Sequence, residues 1–166
     1  MRIYIMRHGD AESPFSSGKR DSDRQLTETG RLAARSSALG LRALGCEVDV
    51  VLTSPYVRAQ ETAAIAAEVL GIAEPQIIYD LVPNGEVDDV LQAAASVSAR
   101  GGILLVSHQP LCGLLMSQLL CTGDGVQVRF QTATVACVEL QRLSPQGPSG
   151  QLVFFAPAAL FGASCA

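Results

Sequence analysis

The sequence has few charged residues and no long apolar run. Charged residues make up 17% of the 166 positions, and 16 Asp and Glu residues outnumber 12 Lys and Arg residues. The net charge of -4 leaves no basic excess to bind a nucleic-acid backbone. Apolar runs such as residues 103–106 are far shorter than the roughly 18 residues that a membrane-spanning helix needs. We therefore expect neither a nucleic acid nor a membrane as partner, and the oligomeric state stays open.

The sequence also lacks a secretory signal and a cysteine pattern typical of disulfides or zinc. The apolar residues 3–6 are too few for the core of a secretory signal, and Arg7 follows them at once. Five cysteines are odd in number and include no Cys-x-x-Cys pair. They are Cys46, Cys112, Cys121, Cys137 and Cys165. We expect thiols in the core of a cytoplasmic protein.

The hydrophobic content of 48% and the chain length predict a single domain over residues 1–166. Short β-rich runs alternate with longer stretches of helical period. Strands are predicted at residues 3–6, 48–52, 77–79, 103–106, 132–140 and 152–155, and helices at 28–44, 56–70, 87–98 and 111–120. This order predicts a three-layer α/β/α domain, with a mostly parallel central sheet and an antiparallel C-terminal strand pair.

Local signals mark the helix ends and one irregular segment. Thr27 is the predicted N-cap of helix 28–44, and Ser54 followed by Pro55 predicts the start of helix 56–70. Four leucines predict a buried stripe along helix 111–120, namely Leu111, Leu114, Leu115 and Leu119. Residues 13–23 are predicted to form a mobile, polar loop.

Cationic and donor side chains lie directly after the predicted strands. Ligands bind beyond the C-terminal ends of the strands in such sheets, and the two histidines, His8 and His108, each follow a strand. Arg7 precedes His8, and Arg58 lies in the first turn of a helix whose backbone amides face the same edge. These groups predict a metal-free phosphoryl site. The alternative is a divalent metal held by the histidines and Asp10, which the adjacent arginines oppose.

Four ordered motifs resemble those of the histidine phosphatase superfamily, also called phosphoglycerate mutase-like. They are RHG at residues 7–9, LTETG at 26–30, SPYVRAQET at 54–62 and SHQP at 107–110. The resemblance extends from Arg2 to about Leu120. The sequence IMRHGDA at residues 5–11 and the short chain are most similar to the SixA-type phosphohistidine phosphatases.

The resemblance implies that His8 is the nucleophile that becomes phosphorylated. It also implies that Arg7, Arg58 and His108, together with Gly9 of the first motif, bind the phosphoryl group, with no cofactor. The chemistry of the residues agrees. Neighbouring guanidiniums lower the pKa of an imidazole and so keep it neutral for attack. The same cations stabilise the charge on the equatorial oxygens in the transition state.

In this superfamily a carboxylate after the third strand often serves as general acid and base. Glu86 in residues 83–86 is the candidate here, with Asp80 behind it, but the segment departs from the mutase-type acid motif. Glu86 equally fits an exposed residue in the first turn of a helix. The phosphorus–nitrogen bond of phosphohistidine is already activated, so its cleavage needs a strong acid less than cleavage of an ester does. Weak acid provision therefore favours phosphohistidine as the substrate.

Only 21 residues separate Arg58 from Asp80, which leaves no length for a lid and predicts an open site. An open site admits a phosphorylated histidine of a signalling or carrier protein better than it encloses a small metabolite. Three alternatives stay open. They are a broad phosphomonoesterase, a phosphotransfer module that does not hydrolyse, and a catalytically inactive interaction protein, which the presence of all four core residues disfavours.

Overall fold

The computed structural model describes residues 1–15, 18–97, 99, 101–121, 125–141 and 150–162. Within them, the strands are β1 (Arg2–Arg7), β2 (Val50–Thr53), β3 (Gln76–Ile77), β4 (Gly102–Ser107), β5 (Val135–Leu140) and β6 (Gly150–Ala156). They form one mixed sheet in the order β3-β2-β4-β1-β5-β6. The helices are α1 (Glu28–Ala43), α2 (Val57–Leu70), α3 (Val87–Ala95) and α4 (Leu111–Leu120), with 3-10 helices at Asp21–Asp23, Tyr79–Leu81 and Ala158–Leu160.

The pairing of the strands confirms the predicted sheet. β1 runs parallel to β4, which runs parallel to β2, and β2 runs parallel to β3. β5 is antiparallel to β1, and β6 is antiparallel to β5. Because the parallel strands β1, β4 and β2 are neighbours, their C-terminal ends meet at one edge of the sheet.

Helices cover both faces of the sheet, so the three-layer prediction is also confirmed. Side chains of β1 alternate between two apolar layers, as the period of a strand requires. Ile3 and Ile5 pack with α3 and α4, whereas Tyr4 and Met6 pack with α1 and α2. Among the described helices, none is long and apolar enough to cross a membrane.

The cysteines divide between the core and the partly exposed surface. Cys112 is buried in the layer of α3 and α4, and Cys137 in the layer of α1 and α2. Cys46 and Cys121 are partly exposed, and all four are free thiols. Cys165 lies outside the described residues. The prediction of core thiols is therefore confirmed for Cys112 and Cys137. Cys46 packs against the layer of α1 and α2 but is partly exposed, and Cys121 is also partly exposed, so neither is a fully buried core thiol.

The helix starts agree with the sequence at Thr27 but not at Ser54. Thr27 caps α1, since its side chain accepts a hydrogen bond from the backbone nitrogen of Gly30 at 3.0 Å. The cap of α2 is Tyr56, which makes no side-chain cap bond. Ser54 precedes the helix, and its hydroxyl accepts from the backbone nitrogen of Tyr56 at 3.3 Å in a local turn. The predicted Ser54 cap was therefore wrong.

Three further predictions differ from the structure. Leu114 is 50% exposed, although the other three leucines of the α4 stripe are buried. The core-facing side of α4 includes Cys112 and Met116 instead, because these positions lie on the other flank of the Leu111 and Leu115 row. Residue 79 belongs to a 3-10 helix and not to β3. Helix α3 ends at Ala95, with Ser96 as its C-cap, so the predicted helix end at residue 98 was wrong.

Candidate active site

The sheet brings both histidines together. Arg7 pairs with Ser107 at the ends of β1 and β4, so the residues that follow, His8 and His108, lie side by side. Their ring centroids are 5.0 Å apart, and the backbone nitrogen of His8 donates to the carbonyl of Ser107 at 2.9 Å. The convergence expected at this edge is thus present.

His8 is buried, and a backbone contact orients its ring. Its Nδ1 lies 2.6 Å from the carbonyl oxygen of Gly9. Because a carbonyl oxygen only accepts, this contact places the proton on Nδ1 and leaves a lone pair on Nε2. Burial lowers the pKa of His8 to about 4. The positive charges of Arg58 and Arg7 add to this shift, whereas the Gly9 contact opposes it. The imidazole is therefore neutral near pH 7, which is the form that attacks phosphorus.

Arg58 reaches His8 from the first turn of α2. It is 3% exposed, and its Nε donates to Nε2 of His8 at 3.3 Å. Its terminal nitrogens donate to Asp21, Nη1 to the carbonyl oxygen at 2.6 Å and Nη2 to Oδ2 at 3.0 Å. These contacts fix the Arg58 guanidinium beside Nε2 of His8.

Arg7 offers a further N–H group. Its Nη1 donates to the carbonyl of Phe130 at 2.8 Å, which fixes the guanidinium. Its Nε is buried and has no hydrogen-bond partner among the described residues. A buried N–H group without a partner is costly, and an anionic oxygen would satisfy it.

His108 is held by Ser54, a contact that the sequence analysis missed. His108 is 1% exposed, and its Nε2 lies 2.8 Å from Oγ of Ser54. Burial and the nearby His8 and Arg58 lower the pKa of His108 to about 2. His108 is therefore neutral near pH 7 and keeps one ring N–H. The Ser54-Pro55 pair suggested a helix cap, so the contact with His108 had no sequence signal.

One cavity of about 350 Å³ is lined by all four residues that the sequence predicted to form the phosphoryl site. It is lined by Arg7, His8, Asp10, Ala11, Asp21, Arg24, Arg58, Pro83, His108, Gln109 and Thr132. Three arginines outnumber two carboxylates in this lining, and such an excess of positive charge is suited to binding an anion. No group of three or more metal-ligating side chains occurs in the described part of the chain.

Gly9 serves the cavity through its backbone. Its nitrogen donates to Oγ1 of Thr62 at 3.0 Å, and its carbonyl orients His8. A Cβ at this position would lie 2.5 Å from the carbonyl oxygen of Gly30 in α1. The phosphate-binding role expected for Gly9 stays a prediction, because its N–H group already has a partner.

The two carboxylates proposed from the sequence do not line the cavity. Glu86 is the exposed residue before α3, and Asp80 lies in the 3-10 helix Tyr79–Leu81, although Pro83 of the same loop reaches the lining. Asp21 does line it. Partial burial raises the pKa of Asp21, but hydrogen bonds from Arg24 and Arg58 outweigh this effect and hold the pKa below its ordinary value. An ionised carboxylate of this kind is a poor general acid.

Comparison with known proteins identifies relatives that align with most of this chain and over most of their own length. Residues 3–82 match the model of the histidine phosphatase superfamily (branch 1). The chain is 34% identical over 143 residues to phosphohistidine phosphatase SixA of Escherichia coli (strain K12), covering 84% of this chain and 86% of that protein. It is 32% identical over 150 residues to the SixA homolog of Haemophilus influenzae, covering 82% and 86%.

The fold is similar to a solved structure of the protein histidine phosphatase SixA complexed with tungstate. The TM-score is 0.80 and the sequence identity is 30%, with 96% of this chain and 99% of that chain covered.

Proposed function

Because this chain belongs to the histidine phosphatase superfamily, within its SixA-type group, we propose that it is a metal-independent phosphohistidine phosphatase. Its substrate is a phosphorylated histidine on a signalling or carrier protein. The observation that carries the proposal is the unprotonated Nε2 of His8, which faces the cavity beside the Nε of Arg58 at 3.3 Å.

In the first step, Nε2 of His8 attacks phosphorus in line with the phosphorus–nitrogen bond of the substrate. That bond breaks, and its electron pair stays on the substrate imidazole. If the substrate ring carries a proton on its other nitrogen, it leaves as a neutral imidazole. His8 keeps its Nδ1 proton on the carbonyl of Gly9 and becomes a phosphorylated cation. For a substrate ring protonated in this way no proton needs to move, so the first step requires no general acid.

In the second step, water attacks the phosphorus on His8. The phosphorus–nitrogen bond breaks, its electron pair returns to Nε2, and the proton of the water leaves with phosphate or solvent. Neutral His8 is restored. Arg7, Arg58 and His108 stabilise the charge on the three equatorial oxygens in both steps, and each such donor typically contributes a few kcal/mol.

The position of the carboxylates supports phosphohistidine over a phosphate ester. An oxygen leaving group needs a proton. Asp21 in the cavity cannot supply it, because hydrogen bonds from Arg24 and Arg58 keep its carboxylate ionised. A broad phosphomonoesterase is therefore less well supported. A role in signal transduction belongs to the same proposal, because the proposed substrate is a signalling or carrier protein. A location in the cytoplasm belongs to it as well, because free thiols such as Cys112 and Cys137 are typical of that compartment.

The test measures phosphate release, in excess chelator, from a histidine-phosphorylated carrier protein and from an aryl phosphate ester. Wild-type protein is compared with His8→Ala. We expect rapid release from the carrier, loss of release in His8→Ala and slow cleavage of the ester. Faster ester cleavage would favour the phosphomonoesterase. Label that persists on His8 without phosphate release would instead identify a transfer module.

A further inference from the structure

Asp21 contacts Arg58 through two different groups. Its backbone carbonyl accepts from Nη1 at 2.6 Å, and its Oδ2 accepts from Nη2 at 3.0 Å. Asp21 belongs to the 3-10 helix Asp21–Asp23, within residues 13–23, which the sequence predicted to form a mobile, polar loop. The Arg58 side chain is 3% exposed, whereas that of Asp21 is 53% exposed. The contact therefore covers a buried guanidinium from the solvent side.

The geometry of a guanidinium gives this contact a direction. A guanidinium has an end edge, formed by the two terminal nitrogens, and a side edge that includes Nε. Asp21 accepts from both nitrogens of the end edge of Arg58. The Nε of the side edge points at Nε2 of His8 at 3.3 Å. The edge that faces the reacting atoms is thus the one that Asp21 leaves available.

Asp21 is itself held in place. Its Oδ1 accepts from Arg24 twice, from Nε at 2.9 Å and from Nη2 at 2.6 Å. The Nη1 of Arg24 donates to the carbonyl of Glu12 at 2.6 Å, and the nitrogen of Glu12 donates to the carbonyl of Gln25 at 2.9 Å. Both carboxylate oxygens of Asp21 are therefore in use, one by each arginine.

We propose that Asp21 is a positioning residue for catalysis. By accepting hydrogen bonds from the end edge of Arg58, Asp21 orients the guanidinium so that the side edge of Arg58 meets the phosphoryl group on His8. This inference rests on the proposed function, since it assigns the free edge of Arg58 to the phosphoryl oxygens. A misplacement of about 1 Å in such a group can cost about 100-fold in rate. A fixed guanidinium avoids that loss and needs no reorganisation when the charge develops.

A rival interpretation makes the opposite prediction. If Asp21 occupied the place of the phosphoryl group, an anion would have to displace its carboxylate. Removal of the carboxylate would then strengthen anion binding. If Asp21 positions Arg58, removal of the carboxylate weakens anion binding and slows turnover. Binding of tungstate, a tetrahedral oxyanion, and kcat on a phosphohistidine carrier distinguish the two interpretations.

The test compares Asp21→Ala and Asp21→Asn with wild-type protein. We expect kcat of Asp21→Ala to fall between about tenfold and 100-fold, with a weaker affinity for tungstate and a smaller change in KM. Asp21→Asn should lie between the alanine variant and wild type. Its amide has one acceptor oxygen, so it can serve Arg58 or Arg24 but not both.

Asp23→Asn is the matched control. Asp23 lies on the same 3-10 helix, is exposed, accepts a hydrogen bond from the hydroxyl of Ser22 and does not line the cavity. We expect it to keep the turnover and the tungstate affinity of wild type. Thermal unfolding near that of wild type shows that each variant is folded, and a variant that is folded but slow reports on Arg58 and not on the fold.

Wild-type turnover in Asp21→Ala, or tighter tungstate binding, would overturn the inference while leaving the proposed function intact. Absence of carrier hydrolysis in the wild-type protein would overturn the proposed function instead. In that case tungstate affinity still reports whether Asp21 orders the anion site, so the two failures are distinguishable.

Discussion

The Oγ1 atom of Thr62 accepts a hydrogen bond from the backbone nitrogen of Gly9 at 3.0 Å. The same hydroxyl donates to the carbonyl of Arg58 at 2.7 Å. One buried side chain of α2 thus joins the loop after β1, which carries His8, to the first turn of α2, which carries Arg58. This hydroxyl therefore fixes the loop of His8 against the first turn of α2, which carries Arg58.

Replacement of Thr62 by valine should reduce both stability and turnover. Valine keeps the shape of threonine but leaves the buried N–H group of Gly9 without a partner, which typically costs about 1–3 kcal/mol. We expect a lower free energy of unfolding in denaturant titrations and a lower kcat on a phosphohistidine carrier. Thr62→Ser keeps the hydroxyl and is the matched control. Because serine lacks the buried methyl group of threonine, turnover is the quantity compared, and equal turnover of the valine and serine variants would contradict the assigned hydrogen bond.

The sequence predicted the core of the site because strand ends and helix starts have local signals. His8, His108 and Arg58 follow short apolar runs or a Ser-Pro helix start, and parallel strands bring such positions to one edge. Asp21 had no such signal, since it lies in a segment without periodicity. Its contact with Arg58 spans 37 positions and depends on the path of that segment across α2.

The imidazole of His8 should stay neutral well below pH 6.5. Burial and the guanidiniums of Arg58 and Arg7 lower the pKa of His8 to about 4. A titration of the ring resonances by NMR should show no protonation of His8 at pH 5.5. An inflection near pH 6.5 would contradict the burial and the charge pattern described for this ring.

The same shifts predict how stability depends on pH. The folded pKa of His8 lies below the value of about 6.5 in the unfolded chain. Above pH 6.5 both states are neutral, and the residue does not affect the pH dependence. As the pH falls from 6.5 towards 4, the unfolded chain binds a proton that the folded protein does not, so the free energy of unfolding decreases. Denaturant titrations between pH 7 and pH 4 measure this loss, and His8→Gln should reduce it.

Replacement of Arg58 by lysine should be nearly as harmful as its loss. Lysine keeps the charge, but a single ammonium cannot contact Nε2 of His8 and both acceptors of Asp21 in the geometry of a guanidinium. We expect kcat to fall by about 100-fold to 1,000-fold in phosphate-release assays.

Arg35→Lys is the matched control for that substitution. Arg35 lies on α1, and its exposed side chain contacts the exposed carboxylate of Glu68 at 3.2 Å. Such a surface pair contributes little to stability. We expect turnover near that of wild type, and a similar loss in both lysine variants would show that the effect at Arg58 is not specific to the site.

Glu86→Gln should hydrolyse a phosphohistidine carrier at nearly the wild-type rate. The Glu86 side chain is exposed before α3 and does not line the cavity, and the transfer from histidine to histidine needs no external proton donor. Phosphate release from the carrier and from an aryl ester should be measured for both proteins.

A loss confined to the ester would identify Glu86 as an acid for oxygen leaving groups that reaches the site when substrate binds. A loss on the carrier would show that the transfer needs a proton donor after all, because the glutamine variant retains the size and hydrogen-bonding capacity of the side chain but cannot donate the proton of a carboxylic acid.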